Sequence, residues 1–102
     1  MSGKSPLCGI HAATVAPLKD DFRVDHGALK ELIADICSVQ GIQGFLINGH
    51  AGEHAQLSSA EKTQVIKSVS DVVSKSLYIT PGVYSENTLE AVKEAENAER
   101  AG

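Results

Sequence analysis

After the apolar run Phe45-Leu46-Ile47 and Asn48 the chain reads Gly49-His50-Ala51-Gly52-Glu53-His54, a hexapeptide that gathers two imidazoles, one carboxylate and two glycines. Glycine admits backbone angles closed to other residues and lets a ligand come close to the main chain, so this segment is the first candidate for binding. The other use of the same glycines is a tight turn with no ligand. The letters His50-x-x-Glu53-His54 also match an inverted zinc-protease motif, whose histidines share a face only on a helix. Gly49 and Gly52 flank and interrupt the segment, which argues against that helix, and no metal is expected. His50 can donate a hydrogen bond through its imidazole.

These residues need a scaffold, and the chain repeats one pattern three times: a short apolar run, a loop, then apolar residues spaced by three and four. The expected strands span about 8–15, 43–48 and 77–83; the expected helices span about 26–40, 59–75 and 87–101. Ala16-Pro17 closes the first strand, because proline has no N–H for a ladder. Asp25 is placed as an N-cap, with Val24 and Leu29 as a hydrophobic staple across it. Leu29, Leu32, Ile33, Ile36 and Cys37 form the apolar stripe of the first helix, and Gly41 is its expected left-handed stop. Gly44-Phe45-Leu46-Ile47-Asn48 is apolar without alternation, as in a parallel strand covered on both faces. Ser58-x-x-Glu61 is a capping box ahead of Val65, Ile66, Val69, Val72 and Val73. Pro81 argues for an early end to the third strand, and Leu89, Val92 and Ala95 are expected inward on the third helix.

Three such units predict an α/β fold with parallel strands and helices on one face. They supply the first three βα units of a (β/α)8 TIM barrel, which takes about 250 residues in full. A lone set would leave one sheet face and both edges bare, so self-association, or complementation by another barrel piece, is the noncatalytic alternative. A small doubly wound domain binding phosphate at the Gly49 loop is a third; it requires helices on both faces.

The segments Gly9-Ile10-His11-Ala12-Ala13-Thr14-Val15-Ala16-Pro17-Leu18, Gly49-His50-Ala51-Gly52-Glu53, Leu57-Ser58-Ser59-Ala60-Glu61 and Gly82-Val83-Tyr84-Ser85-Glu86-Asn87-Thr88 together resemble the dihydrodipicolinate synthase and N-acetylneuraminate lyase family, in its amino-terminal part. The resemblance implies a lyase or synthase of class I aldolase type, acting on pyruvate or a related 2-oxo acid through a lysine Schiff base, without a cofactor. It places Gly49, His50, Ala51 and Gly52 at the substrate carboxylate, with Glu53 supporting the loop. Backbone N–H groups in a glycine-flanked turn suit such an anion. The family usually carries hydroxyl residues where His50 and Ala51 stand, so a sibling aldolase, hydratase or dehydratase acting on another aldehyde or sugar acid is an equal expectation.

The family's Schiff-base lysine and partner tyrosine come from later strands. Lys4, Lys19, Lys30, Lys62, Lys67, Lys75 and Lys93 all fall in the amino-terminal tail, loops or helices, where a solvated ammonium is the ordinary state. No catalytic residue is assigned in this chain, and these 102 residues alone are expected to be inactive. Tyr84 either lines the mouth of the site or caps the third βα turn. His11 is expected as a core or barrel-interior residue and His26 as solvated. Glu90, Glu94, Glu96 and Glu99, with Lys93 and Arg100, read as a solvent-facing surface.

Composition narrows the partners. The 102 residues are 42% hydrophobic and 22% charged, with formal charge −4, so no basic field is available for nucleic acid. No apolar stretch approaches the roughly 20 residues of a membrane helix, and the start of the chain lacks a signal-peptide core. The expectation is a cytoplasmic homo-oligomer that meets a small 2-oxo acid and neither nucleic acid nor membrane. Cys8 and Cys37 are expected reduced, as small buried apolar residues.

Overall fold

The computed structural model describes residues 8–73 and 75–102; Lys4, and position 74 in the expected second helix, lie outside them. The elements are β1 (Ile10–Ala13), α1 (His26–Cys37), β2 (Ile42–Ile47), α2 (Ser59–Val72), β3 (Tyr78–Pro81) and α3 (Thr88–Ala101), with a 3-10 turn at His54–Gln56. The strands are parallel in the order β1-β2-β3, each followed by a helix.

Side-chain alternation divides the sheet into two unlike faces. Ala12, Phe45 and Ile79 lie side by side in register and meet the helices. Phe45 and Ile47 are 0% and 1% exposed, against Leu29 and Ile33 of α1 and Val65, Ile66 and Val69 of α2. Each such side chain contributes roughly 1.5–3 kcal/mol by leaving water. His11, Gly44 and Tyr78 share the opposite face, which carries no helix. A Cβ on Gly44 would fall 2.7 Å from His11 Nδ1 and 2.5 Å from the Tyr78 carbonyl oxygen, so the His11 ring lies over bare backbone. His11 is half-buried there, its Nε2 3.1 Å from the carbonyl oxygen of Cys8.

Local chemistry sets the helix ends. The Ala28 N–H donates to Asp25 Oδ1 at 3.0 Å, and Val24 and Leu29 are both buried in the core across that cap. Ser58 and Glu61 exchange both bonds of the capping box, at 3.2 Å each. Asn87 Oδ1 accepts from the Leu89 and Glu90 amides and opens α3.

Several expectations need correction. Helix α1 ends at Cys37, because the Ser38 hydroxyl donates to the Asp35 carbonyl at 2.6 Å and terminates the ladder; Gly41, at φ +102°, leads into β2 instead of capping α1. Helix α2 ends at Val72, where two successive β-branched residues disfavour another turn and Val73 is already extended. Strand β1 is only four residues long, its register shifting between Ile10 and His11. Cys8 is exposed rather than buried, while Cys37 is half-buried; both thiols are free. His26 is half-buried rather than fully solvated, its Nδ1 2.7 Å from Ser68 Oγ on α2.

Helix α3 departs furthest from expectation. Leu89 and Val92 are 75% and 49% exposed and Ala95 is exposed, whereas Ala91, Glu94, Ala98 and Ala101 are partly or fully buried. Alanine lets α3 approach α2 closely, and the polar member of that stripe is paired. Glu94 Oε1 lies 3.3 Å from Lys62 Nζ, with the two side chains 15% and 13% exposed, and Ser59 Oγ donates to the same oxygen at 3.2 Å. Lys62 and Glu94 therefore belong to the α2–α3 interface and not to a solvated surface. Replacing Glu94 with leucine strands a largely buried ammonium and should cost about 2–4 kcal/mol, while adding Lys62→Met should recover most of that loss. Paired thermal melts check this, and equal losses in the single and double variants would contradict it.

Candidate functional site

The loops that leave the carboxyl ends of β2 and β3 come together. Asn48, next after β2, is 4% exposed and sits at φ 60°, a left-handed conformation that asparagine tolerates better than most residues. Its Nδ2 donates to the Lys62 carbonyl at 3.1 Å, which ties the loop to α2, and its Oδ1 is buried without a partner among the described residues. The Gly82 N–H donates to the Ile47 carbonyl at 2.6 Å and ties β3 to the end of β2.

The chain then folds through successive turns. Gly52 N–H donates to the Gly49 carbonyl at 3.1 Å, Glu53 N–H to that of His50 at 3.0 Å and Gln56 N–H to that of Glu53 at 2.9 Å. The amides of His50 and Ala51 donate to nothing among the described residues, and both residues are exposed. Two adjacent unpaired N–H groups at a loop tip are donors of the kind that suit a carboxylate or phosphate oxygen.

The glycines act differently from the sequence expectation. Neither Gly49 nor Gly52 has a positive φ; the left-handed positions are Asn48 and, at φ 55°, Glu53. A Cβ on Gly49 would stand 3.2 Å from the Leu46 side chain, a tight fit, whereas one on Gly52 would make ordinary contact, 3.4 Å from Asn48 N and Thr14 O. Tighter still is Gly82, where a Cβ would fall 2.4 Å from the Asn48 carbonyl oxygen. Glu53 shapes the loop through its backbone, its side chain being exposed.

The two imidazoles meet although no α-helix runs through them. Consecutive tight turns bring positions four apart to one side, so His54 Nε2 lies 3.3 Å from His50 Nδ1, the rings 4.8 Å apart and tilted by 64°. His54 is 8% exposed, and Tyr84, itself 57% exposed, lays its ring 5.1 Å from that of His54. Tyr84 thus joins the β3 loop to the β2 loop. Among the described residues no three His, Cys, Asp or Glu side chains converge to hold a metal ion, and no helix is long and apolar enough to cross a membrane.

Sequence reasoning missed Asn48, His54 as the partner of His50, and Gly82. The Asn48-Gly49 pair was the available signal, since asparagine is enriched where φ turns positive.

Parallel strands in sequential order, a helix after each on a single face, and loops gathered at the strands' carboxyl ends define the opening βα units of a TIM barrel. The sequence model of the Dihydrodipicolinate synthetase family matches residues 6–102, and the chain belongs to that family. It is 34% identical over 96 residues to a 4-hydroxy-tetrahydrodipicolinate synthase of Neisseria meningitidis, covering 94% of this chain and 33% of that protein. Dihydrodipicolinate synthase from Acinetobacter baumannii, solved with pyruvate, superposes with a TM-score of 0.83 at 32% identity, over 92% of this chain and 32% of that one. The 4-hydroxy-tetrahydrodipicolinate synthase of Methylacidiphilum fumariolicum superposes at 0.85 with 28% identity, over 92% and 31%. The chain spans about a third of the length of the curated relatives it matches.

Proposed function

We propose that this chain supplies the amino-terminal units of a lyase or synthase acting on pyruvate or a related 2-oxo acid, with Gly49, His50, Ala51 and Gly52 holding the substrate carboxylate. The supporting observation is the pair of unpartnered amides at His50 and Ala51, exposed at the carboxyl end of β2. The Acinetobacter relative, solved with pyruvate, supports the substrate class. Glu53 shapes the loop, and Tyr84 borders it at the mouth of the site.

A lysine amine from the other strands of the barrel adds to the ketone carbon and water leaves, giving an imine. Its protonated nitrogen withdraws electrons from the neighbouring carbon, so the chemistry needs no separate cofactor. Ala51 offers only its backbone N–H, which leaves the acceptor open between dihydrodipicolinate-type synthesis and a sibling aldolase, hydratase or dehydratase. On this proposal the enzyme works in the cytoplasm as a homo-oligomer.

Borohydride trapping tests this. A polypeptide carrying these units together with the remaining strands, incubated with pyruvate and borohydride, should gain the mass of a reduced pyruvyl adduct on one lysine. These residues alone should gain none. No adduct on the completed barrel would remove the mechanism.

The second function, self-association of these units or their pairing with another barrel piece, is favoured by the helix-free sheet face and by the exposure of Ile10, Leu89 and Val92. Light scattering on the chain by itself separates the two, since a stable monomer would contradict it.

A further inference from the structure

We infer that His54 is a positioning residue that fixes the tautomer of His50, making the outer nitrogen of His50 an Nε2–H donor aimed at an oxygen of the bound anion. The inference rests on the carboxylate-loop function proposed above. Its physical basis is the asymmetry between the two nitrogens of His54. Nδ1 is buried with no hydrogen-bond partner among the described residues, while Nε2 faces His50 Nδ1 at 3.3 Å.

A neutral imidazole carries one N–H and one lone pair, and the single proton must sit on one of these nitrogens. Placed on Nδ1, it would be an orphaned buried donor, which folded proteins almost never keep. Placed on Nε2, it is donated to His50 and leaves only a lone pair facing the interior.

The proton on His54 Nε2 decides the state of its neighbour. His50 Nδ1 must accept, so the His50 proton resides on Nε2. His50 is exposed at the loop tip, beside its own unpartnered amide and that of Ala51. The loop therefore presents three donors: two amides and one imidazole N–H whose ring is held from behind. Because that nitrogen already carries its proton, His50 in this state donates to a ligand and does not act as a base towards it. The Tyr84 ring against His54 helps to keep the supporting imidazole dry.

The test is a long-range proton–nitrogen NMR spectrum of the histidine rings, recorded on the completed barrel without ligand in mildly alkaline buffer. The wild-type spectrum should show His50 protonated on Nε2. His54→Phe, which keeps the ring packing, should convert His50 to a mixture of tautomers. His54→Gln, whose amide can reach the same place and donate, should preserve the wild-type pattern. Pyruvate should then bind about fivefold more weakly to His54→Phe than to wild type or His54→Gln, the loss expected for one disordered hydrogen bond.

A proton on His50 Nδ1 in the wild type, or an unchanged tautomer in His54→Phe, overturns the inference. If His54→Phe does not fold, the wild-type spectrum and His54→Gln still decide it. If the tautomers behave as stated while pyruvate leaves the His50 signals unmoved, the carboxylate loop is what fails, and the positioning by His54 stands.

Discussion

Phe45→Ala should remove most of the stability of this chain. The side chain is fully buried in the middle strand, in a core shared with Leu29 and Ile33 of α1 and Val65, Ile66 and Val69 of α2. Truncation there sacrifices transfer energy and leaves a hole walled by several elements that cannot all collapse into it, costing about 3–5 kcal/mol. A small domain holds only about 5–15 kcal/mol in total, and each kcal/mol moves the midpoint of a chain this size by about 4–8 °C. The melting temperature should fall by roughly 12–40 °C, if a cooperative transition survives at all. Phe45→Leu, which leaves a smaller hole, should fall by clearly less. Urea unfolding followed by circular dichroism measures both, and a loss below about 1 kcal/mol for alanine would mean that the sheet and the helices do not share this core.

Gly82→Ala should cost less stability, with its harm concentrated at the site. The added methyl would stand 2.4 Å from the Asn48 carbonyl oxygen, 3.0 Å from its carbon and 3.3 Å from Gly49 N, all backbone atoms with no rotamer in which to retreat. Either β3 peels from β2, breaking the 2.6 Å bond from Gly82 N–H to the Ile47 carbonyl, or the Asn48–Glu53 loop moves. Overpacking of this kind costs about 1–3 kcal/mol, and a displaced loop should weaken 2-oxo-acid binding by about tenfold or more. Gly27→Ala is the control: on α1 its methyl would meet only Asp25 Oδ1 at 3.5 Å, so stability should hold or improve slightly. Calorimetry of ligand binding and amide shifts of residues 48–53 distinguish the outcomes, and tight binding by Gly82→Ala would show that the loop tolerates the displacement.

The parallel βα repeat was legible because it depends on signals that the hydrophobic effect writes directly into sequence. Phe45 to Ile47 is an unbroken apolar run, α1 and α2 carry stripes at helical spacing, and Asp25 and Ser58 announce their helices by cap chemistry. Helix α3 was misread for a physical reason: its inner face is built of Ala91, Ala98 and Ala101 around the Lys62–Glu94 pair, while its largest apolar residues, Leu89 and Val92, face outward. Choosing a helix face by side-chain size fails where close approach is the requirement.

The binding loop was legible as a location but not as a geometry. Glycine content points to Gly49 and Gly52, yet the left-handed backbone of the loop falls on Asn48 and Glu53, and the glycine whose Cβ would strike the loop's backbone is Gly82, just past β3. That contact joins residues more than thirty positions apart and leaves no mark in either local sequence. The pairing of His50 with His54 was hidden differently: the letters suggested it, but a helix was taken as its only route, and successive tight turns provide another.

The spatial order of the strands repeats their order along the chain, and α2 packs against both α1 and α3. Such a stack behaves as a row of neighbours, each leaning mainly on the next, so it can fray from either border while its centre persists. Amide hydrogens of β2 and α2 are then the slowest to exchange with solvent. The loop that carries His50 and Ala51 hangs between those two, rooted in the last part of the molecule to open.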